Sequence, residues 1–395
     1  MPDSTKILIR LVRQALEAGY AERDGGVMPE PIELSSEELC LLGKVYSLAE
    51  GHDILPIVAH GLEYTQLPEA STEAKAAFDK HKYISVFRSN LLISEQEQLR
   101  QVFNAANIEF VLLKGAVMRT LYPEPWLRTS SDIDVLVKSH CHEEAVKILE
   151  GQLGYTLICR TSHDVSFFAP SGVHIELHFT LIEKLRVPES LEMLNRVWEY
   201  TVPSTEVSFE RLLTDSMYYY YHIAHMAKHF VNGGCGIRSF IDLWLLNRSC
   251  SEVSEKRWEL LTEGKLSDFA KGAGELAAVW FDGEEHTPLT EKMERYIFEG
   301  GVYGTIDNMV KIQTARVGRF KYLISRVFLP TQTLRNRYPK MGKYKILIPI
   351  MHIRRWCGLL NPKRRKRVKV ELHKVGQAMT GYSADTQSLL NELNI

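Results

Sequence analysis

At 395 residues, 45% hydrophobic and 25% charged, the chain has the balance of an ordinary globular protein and the length for two or three packed units. Its six cysteines lie far apart with no CxxC pair, which argues against a zinc site or a disulfide framework and fits reduced core thiols in a cytoplasmic protein. A net charge of −1 hides an asymmetry: residues 311–369 carry 18 Lys or Arg and no Asp or Glu, leaving 30 basic against 49 acidic residues elsewhere.

In chain order, Met1–Tyr20 alternates charged and apolar residues at helical spacing and lacks the continuous apolar stretch of a signal peptide. No run approaches the roughly eighteen apolar residues that a transmembrane helix needs, so no membrane span is expected. Residues 1–107 read as a helical region. Ser35-Ser36-Glu37-Glu38 gives an N-cap with acidic first-turn residues, and Ser71-Thr72-Glu73 opens a second long pattern through Phe87, Leu91, Leu92 and Leu99.

The pattern changes at Ile108. Ile108–Leu113 is an apolar run of strand length that ends at Lys114-Gly115, and a short helix is expected over Ala116–Leu121. Asp132–Val137 reads as a strand and Cys141–Leu153 as an amphipathic helix. Thr156–Arg160, Val165–Ala169 and Val173–Phe179 are further strands, the last two joined as an antiparallel hairpin by Pro170-Ser171-Gly172. Residues 108–181 therefore form a small mixed-sheet core in an α+β chain. Residues 182–310 read as a helical domain packing on that core, with helices over Asp215–Val231, Ile237–Asn247 and Glu255–Phe281. Residues 311–395 form a basic helical C-terminal region, with two helices in 311–369 and Lys363–Lys369 leading into a last one.

Successive strand residues point to opposite faces, so Asp132 and Asp134 share one face while Ile133, Val135 and Val137 share the other. His174, Glu176 and His178 likewise share a face. If the two strands are neighbours, three carboxylates converge, and crowded anions are relieved by hard divalent cations with oxygen ligands. Such ions clamp the attacking and leaving oxygens of an in-line phosphoryl transfer. Alternation alone leaves open the plainer reading of solvated acidic residues.

Leu113-Lys114-Gly115, Leu121-Tyr122-Pro123, Leu127-Arg128, Asp132-Ile133-Asp134-Val135-Leu136-Val137 and Ile175-Glu176-Leu177-His178 resemble the uncharacterised nucleotidyltransferase family of the DNA polymerase β-like nucleotidyltransferase superfamily. The likeness implies a nucleotidyltransferase core with Asp132 and Asp134 as metal ligands and Glu176 as the third carboxylate, completing a metal site or accepting the acceptor's proton. It implies that Gly115 lets backbone N–H groups approach nucleotide phosphates. Two departures stand out. Ala116 follows Gly115 where the superfamily usually has Ser or Gly, so a hydroxyl is missing that Lys114, Thr129, Ser130 or Ser131 would replace. The interval from Gly115 to Asp132 is also longer than the common pattern.

Lys114 and Arg128 are placed to neutralise triphosphate charge, Ser131 to touch nucleotide, and His178 to orient a carboxylate or touch nucleotide, with surface or structural roles as the alternatives. His222, His225 and His229 share a helix face but lack HExxH spacing, so packing against the sheet is preferred to metal binding, with His229 lining the cleft. Arg238 and Asp242 stand four apart, as an intrahelical ion pair would.

The expected activity is Mg²⁺-dependent transfer, with Mn²⁺ as the alternative ion, of a nucleoside monophosphate from a nucleoside triphosphate to an unidentified acceptor hydroxyl, releasing pyrophosphate. The rival readings are an inactive nucleotide- or partner-binding module of the same fold, and a nucleic-acid-binding protein acting through 311–369. That segment also suits an anionic membrane surface or plain charge compensation within the fold.

Overall fold

The computed structural model describes residues 3–68, 71–181, 187–232, 234–249, 254–300, 345–357 and 382–395, with scattered positions between 320 and 334. Most of the basic segment, including Lys363–Lys369, lies outside the described residues; the part described includes the helix Ile348–Cys357.

The N-terminal region is built from α1 (Asp3–Asp24), α2 (Ser36–Leu39), α3 (Leu42–Gly51), α4 (Leu55–Glu63) and α5 (Thr72–Ala105). Ser35 caps α2 with a full capping box: its hydroxyl accepts from the Glu38 N–H while the Glu38 carboxylate accepts from the Ser35 N–H. A small parallel strand pair, β1 (Ile32–Glu33) with β2 (Thr65–Gln66), interrupts what the sequence reads as wholly helical.

The central sheet has five strands: β3 (Phe110–Leu112), β4 (Asp132–Val137), β5 (Thr156–Arg160), β6 (Asp164–Phe168) and β7 (His174–His178), in the order β3-β4-β7-β6-β5. All neighbours are antiparallel except β4 and β7, which run parallel, so the sheet is mixed. The β6–β7 hairpin is the one expected from Pro170-Ser171-Gly172, and Gly172 takes the positive φ (84°) that its turn requires. The short helix α6 (Gly115–Met118), 3₁₀ turns at Arg119–Leu121 and Pro125–Leu127, and α7 (His142–Gly151) complete this unit.

One face of the sheet packs on α5 and α7. Ile133, Val135 and Val137 of β4 join Ile175 and Leu177 of β7, Leu92, Leu99 and Phe103 of α5, and Val146 and Leu149 of α7 in one buried cluster. The buried positions of α5 fall at 78, 85, 89, 92, 95, 96, 99 and 103, spaced by threes and fours from 85 onward with Glu95 beside Gln96, as one helix face demands. The opposite face, carrying Leu136 and the acidic positions, looks towards α9 (Asp215–Val231) and α10 (Ile237–Ser249). Leu136 shares a second, larger cluster with α1, α4, α8 (Pro188–Asn195), α9, α10, α12 (Ser267–Phe281) and α13 (Pro288–Gly300).

The single helix expected over Glu255–Phe281 is two, α11 (Ser254–Glu263) and α12. Lys265 adopts φ 56°, and the Leu266 N–H donates back to the Leu261 carbonyl at 2.8 Å, which ends α11 in the manner of a Schellman turn. Gly264 is needed there because a Cβ would meet the Tyr220 hydroxyl oxygen at 2.1 Å.

Candidate active site

Strand register brings the acidic residues together. Parallel pairing sets Asp132 opposite His174 and Asp134 opposite Glu176. Asp132, Asp134 and Glu176 form one side of a cleft of about 270 Å³, whose other side comes from Tyr218, Tyr221, His222, His225, Lys228 and His229 on α9 and Arg238, Ser239 and Asp242 on α10. Lys114, Gly115, Arg128, Ser130 and Ser131 line it as well.

The sequence led us to expect three carboxylates meeting at one point. Among the described residues two overlapping trios are found instead: Asp132 with His174 and Glu176, and Asp134 with Glu176 and His178, each with ligand atoms within 4.8 Å of one another. Glu176 belongs to both. Asp132 and Asp134 sit two residues apart along β4, and the rise of a strand separates them by roughly 6–7 Å while Glu176 reaches either.

Asp134 is the buried member, its side chain 4% exposed. Its Oδ1 receives the Lys114 ammonium at 2.7 Å and faces His178 Nε2 at 2.9 Å, while that nitrogen lies 3.5 Å from Glu176 Oε2. Burial works against the Asp134 charge, but Lys114 and His178 outweigh it and hold the carboxyl well below the usual range. Burial also opposes protonation of His178, yet its hydrogen bonds to Asp134 and Glu176 push the imidazole up to about 9. Asp132 moves the other way: burial and the neighbouring Asp134 charge raise it, against the pull of Lys114. Ser130 donates to Asp132, at 3.0 Å from its carbonyl and 3.3 Å from its Oδ1.

The turn before α6 is tightly built. Lys114 has φ 44° and ψ −115°, a conformation costly for a residue with a Cβ, and its carbonyl accepts the Tyr218 hydroxyl at 3.0 Å. A Cβ on Gly115 would meet Arg128 Nη1 at 2.7 Å and Ser130 Oγ at 2.8 Å, so glycine here admits two side chains of the following loop. Ala116 is buried in the apolar cluster under the sheet, and the hydroxyl beside the turn is that of Ser130.

Arg128 lines the cleft with its guanidinium tied to α10. Its Nε and Nη2 donate to both oxygens of Asp242 at 3.0 and 2.8 Å, and Tyr122 donates to the same carboxylate at 2.7 Å. Burial lowers the Arg128 pKa, but Asp242 more than compensates and the guanidinium is held firmly charged. The intrahelical Arg238–Asp242 pair does not form, because Asp242 is taken by Arg128 across 114 residues and Arg238 donates to Asp53 at 2.5 Å and to the Thr129 carbonyl at 3.1 Å. Ser131 is exposed; its carbonyl accepts from Arg88 at 3.5 Å. His222 meets the Ser239 carbonyl at 3.0 Å, while His225 and His229 lie Nε2 to Nε2 at 3.1 Å. His174 and Tyr218 had drawn no role: His174 showed only its shared face with Glu176, and nothing in a tyrosine-rich helix singles out Tyr218. A second cleft of about 350 Å³ lies beyond the 128–131 loop, sharing Arg128, Ser130 and Ser131 with the first and lined also by Asp53, Ser85 and Arg88.

Residues 42–282 match the model of a family described as uncharacterised nucleotidyltransferase. The chain belongs to that family. The matched span runs from the start of α3 to the end of α12, and so contains β4, β7 and the helices across the cleft. As a member of the uncharacterised nucleotidyltransferase family, the protein has a general role in nucleotidyl transfer. No curated protein matches it. Among the described residues, no helix is long and apolar enough to cross a membrane.

The donor set fits a divalent ion: oxygens of Asp132, Asp134 and Glu176, on one sheet face at the edge of the cleft, are the hard ligands that Mg²⁺ and Mn²⁺ take.

Proposed function

We propose that this cleft transfers a nucleoside monophosphate from a nucleoside triphosphate to an acceptor hydroxyl, releasing pyrophosphate. The observation that carries the reading is the parallel β4–β7 register, which sets Glu176 directly across from Asp134 with Asp132 on the same face. Asp132, Asp134 and Glu176 are the residues that would hold Mg²⁺ or Mn²⁺; such an ion neutralises phosphate charge and polarises the reacting phosphoryl group. In the reaction the acceptor oxygen bonds to the α-phosphorus and the bond to the α–β bridging oxygen breaks, the electron pair leaving with pyrophosphate. A carboxylate in this cluster takes the hydroxyl proton, and Glu176, shared by both trios and partly exposed, is the one we assign. Lys114 supplies positive charge to the phosphates. Ser130, at the turn, and Ser131 line the same cleft and offer hydroxyls to the nucleotide.

The test is nucleotide binding and turnover with each of the four α-³²P-labelled triphosphates, Mg²⁺ or Mn²⁺, and cell extract as the acceptor source. Asp132→Ala with Asp134→Ala is expected to abolish label transfer; unchanged binding and transfer in that double variant would sink the proposal. A second reading, nucleotide binding without transfer, draws on the two cationic groups already seated on Asp134 Oδ1. It predicts saturable nucleotide binding with no labelled product from any extract.

A further inference from the structure

Lys114 combines a fixed backbone with a side chain at the edge of the cleft. Its carbonyl accepts from the Tyr218 hydroxyl and from the N–H groups of Val117 and Met118 at 3.1 and 2.9 Å, so the main chain is pinned. The side chain is 22% exposed and lines the cleft, with its ammonium 2.7 Å from Asp134 Oδ1. The Arg128–Asp242 pair nearby shows what a permanent ion pair looks like in this molecule: side chains 9% and 2% exposed, and two parallel hydrogen bonds. A lysine ammonium is a compact point charge on a flexible stem, and it occupies the oxygen that a divalent ion would need. Lys114 and His178 already share that oxygen, so a divalent ion on it would be a third cation, and the crowding is relieved when one of them leaves. Asp134 is fixed in β4, whereas Lys114 has the cleft to swing into.

We propose that Lys114 is a displaceable counter-cation, holding Asp134 until a divalent ion takes that oxygen and then moving onto the nucleotide's phosphates. The inference rests on the reading of Asp132, Asp134 and Glu176 as metal ligands. His178 stays in place through the exchange, since it is buried and also reaches Glu176. Ion and nucleotide then favour each other. The ion frees the ammonium for the phosphates, the phosphates draw the ammonium off the carboxylate, and by linkage the two effects are equal. The effect of Lys114 therefore appears in binding, before any chemistry occurs.

The experiment is Mn²⁺ binding to the full chain without nucleotide, followed by the electron paramagnetic resonance of free Mn²⁺. It compares the native protein with Lys114→Met, Lys114→Arg and Lys114→Met/Asp134→Asn, after thermal melts establish that each is folded. Lys114→Met removes the charge at similar volume and is expected to bind Mn²⁺ about ten- to a hundredfold more tightly than the native protein. Lys114→Arg, which keeps the charge, is expected to bind as weakly as the native protein, and the added Asp134→Asn to cancel the gain. Adding an α,β-methylene nucleoside triphosphate of each base in turn is expected to tighten Mn²⁺ binding to the native protein and to do so far less in Lys114→Met. Equal Mn²⁺ affinity in the native protein and Lys114→Met, or weaker binding in the variant, overturns this inference alone. No Mn²⁺ bound by any variant, with or without the analogues, overturns the metal-site reading and this inference with it.

Discussion

Arg128 and Asp242 share a site from which water is excluded, and that burial makes their mutual dependence large. Removing one partner of a buried pair leaves the other charge uncompensated, at a cost of about 3–5 kcal/mol, whereas replacing both with apolar residues avoids that penalty. Arg128→Met is therefore expected to lower the unfolding free energy by about 4 kcal/mol in urea titrations. Arg128→Met with Asp242→Leu should recover most of it, leaving the smaller cost of a Tyr122 hydroxyl without its acceptor. A double variant no more stable than the single one would show that the pair is not what holds this loop. His52 provides the corresponding test by pH. Burial holds its imidazole down at about 4, below the usual value of 6.5, and its Nδ1 accepts the Ile237 N–H at 3.4 Å. The unfolded chain then binds the proton more readily than the folded one between these values. The stability from a neutral His52 is complete above about pH 6.5 and is lost as pH falls towards 4, by about 3 kcal/mol in all. Urea midpoints measured from pH 7 to 4.5 should fall along this course, and His52→Asn, which keeps an acceptor and cannot titrate, should flatten that part of the fall.

Helix crossings and strand register decide where these residues stand. At the crossing of α1 and α4, a Cβ on Gly61 would lie 2.1 Å from the Leu11 carbonyl oxygen, and both belong to backbone that cannot turn aside. Gly61→Ala is expected to cost about 3 kcal/mol and to lower the melting temperature accordingly, by calorimetry. Elements were the level most legible in the sequence. Alternation in Asp132–Val137 and in the run around Glu176 marked both strands and their polar faces, because a strand that turns one face to an apolar core and its polar groups to the other must alternate. Register between them was not legible, since it is set by the core beneath, and so the two trios around Glu176 and the part of His174 came only with the structure. The destination of Arg128 was hidden for a related reason. Its partner lies on α10, and an arginine beside a phosphate site is chemically indistinguishable from one turned inward. The break between α11 and α12 was signalled by Gly264, although an amphipathic pattern running on either side masked it.

Over the whole molecule, the packed core is wider than the family span. Residues 42–282 carry the match, yet α1 precedes it and buries Ile7, Leu8, Leu11, Val12, Ala15 and Leu16 in the core it shares with α3, α4 and α12. Six such side chains amount to roughly 10 kcal/mol of burial, comparable with the whole net stability of a typical domain. A chain beginning at Ser36 is therefore expected to lose its cooperative thermal transition and to accumulate as aggregate, as circular dichroism and gel filtration would report. A sharp transition at the native temperature would show α1 to be an appendage.

The 128–131 loop has chambers on both sides and anchors along its length. Arg128 is tied to α10 through Asp242, Thr129 to Asp53 and Arg238, and Ser131 to Arg88 on α5. In mechanical terms it is a diaphragm clamped around its rim. A molecule seated in either chamber would rest against the same main chain, and the bond from Ser130 to Asp132 joins that main chain to the acidic strand.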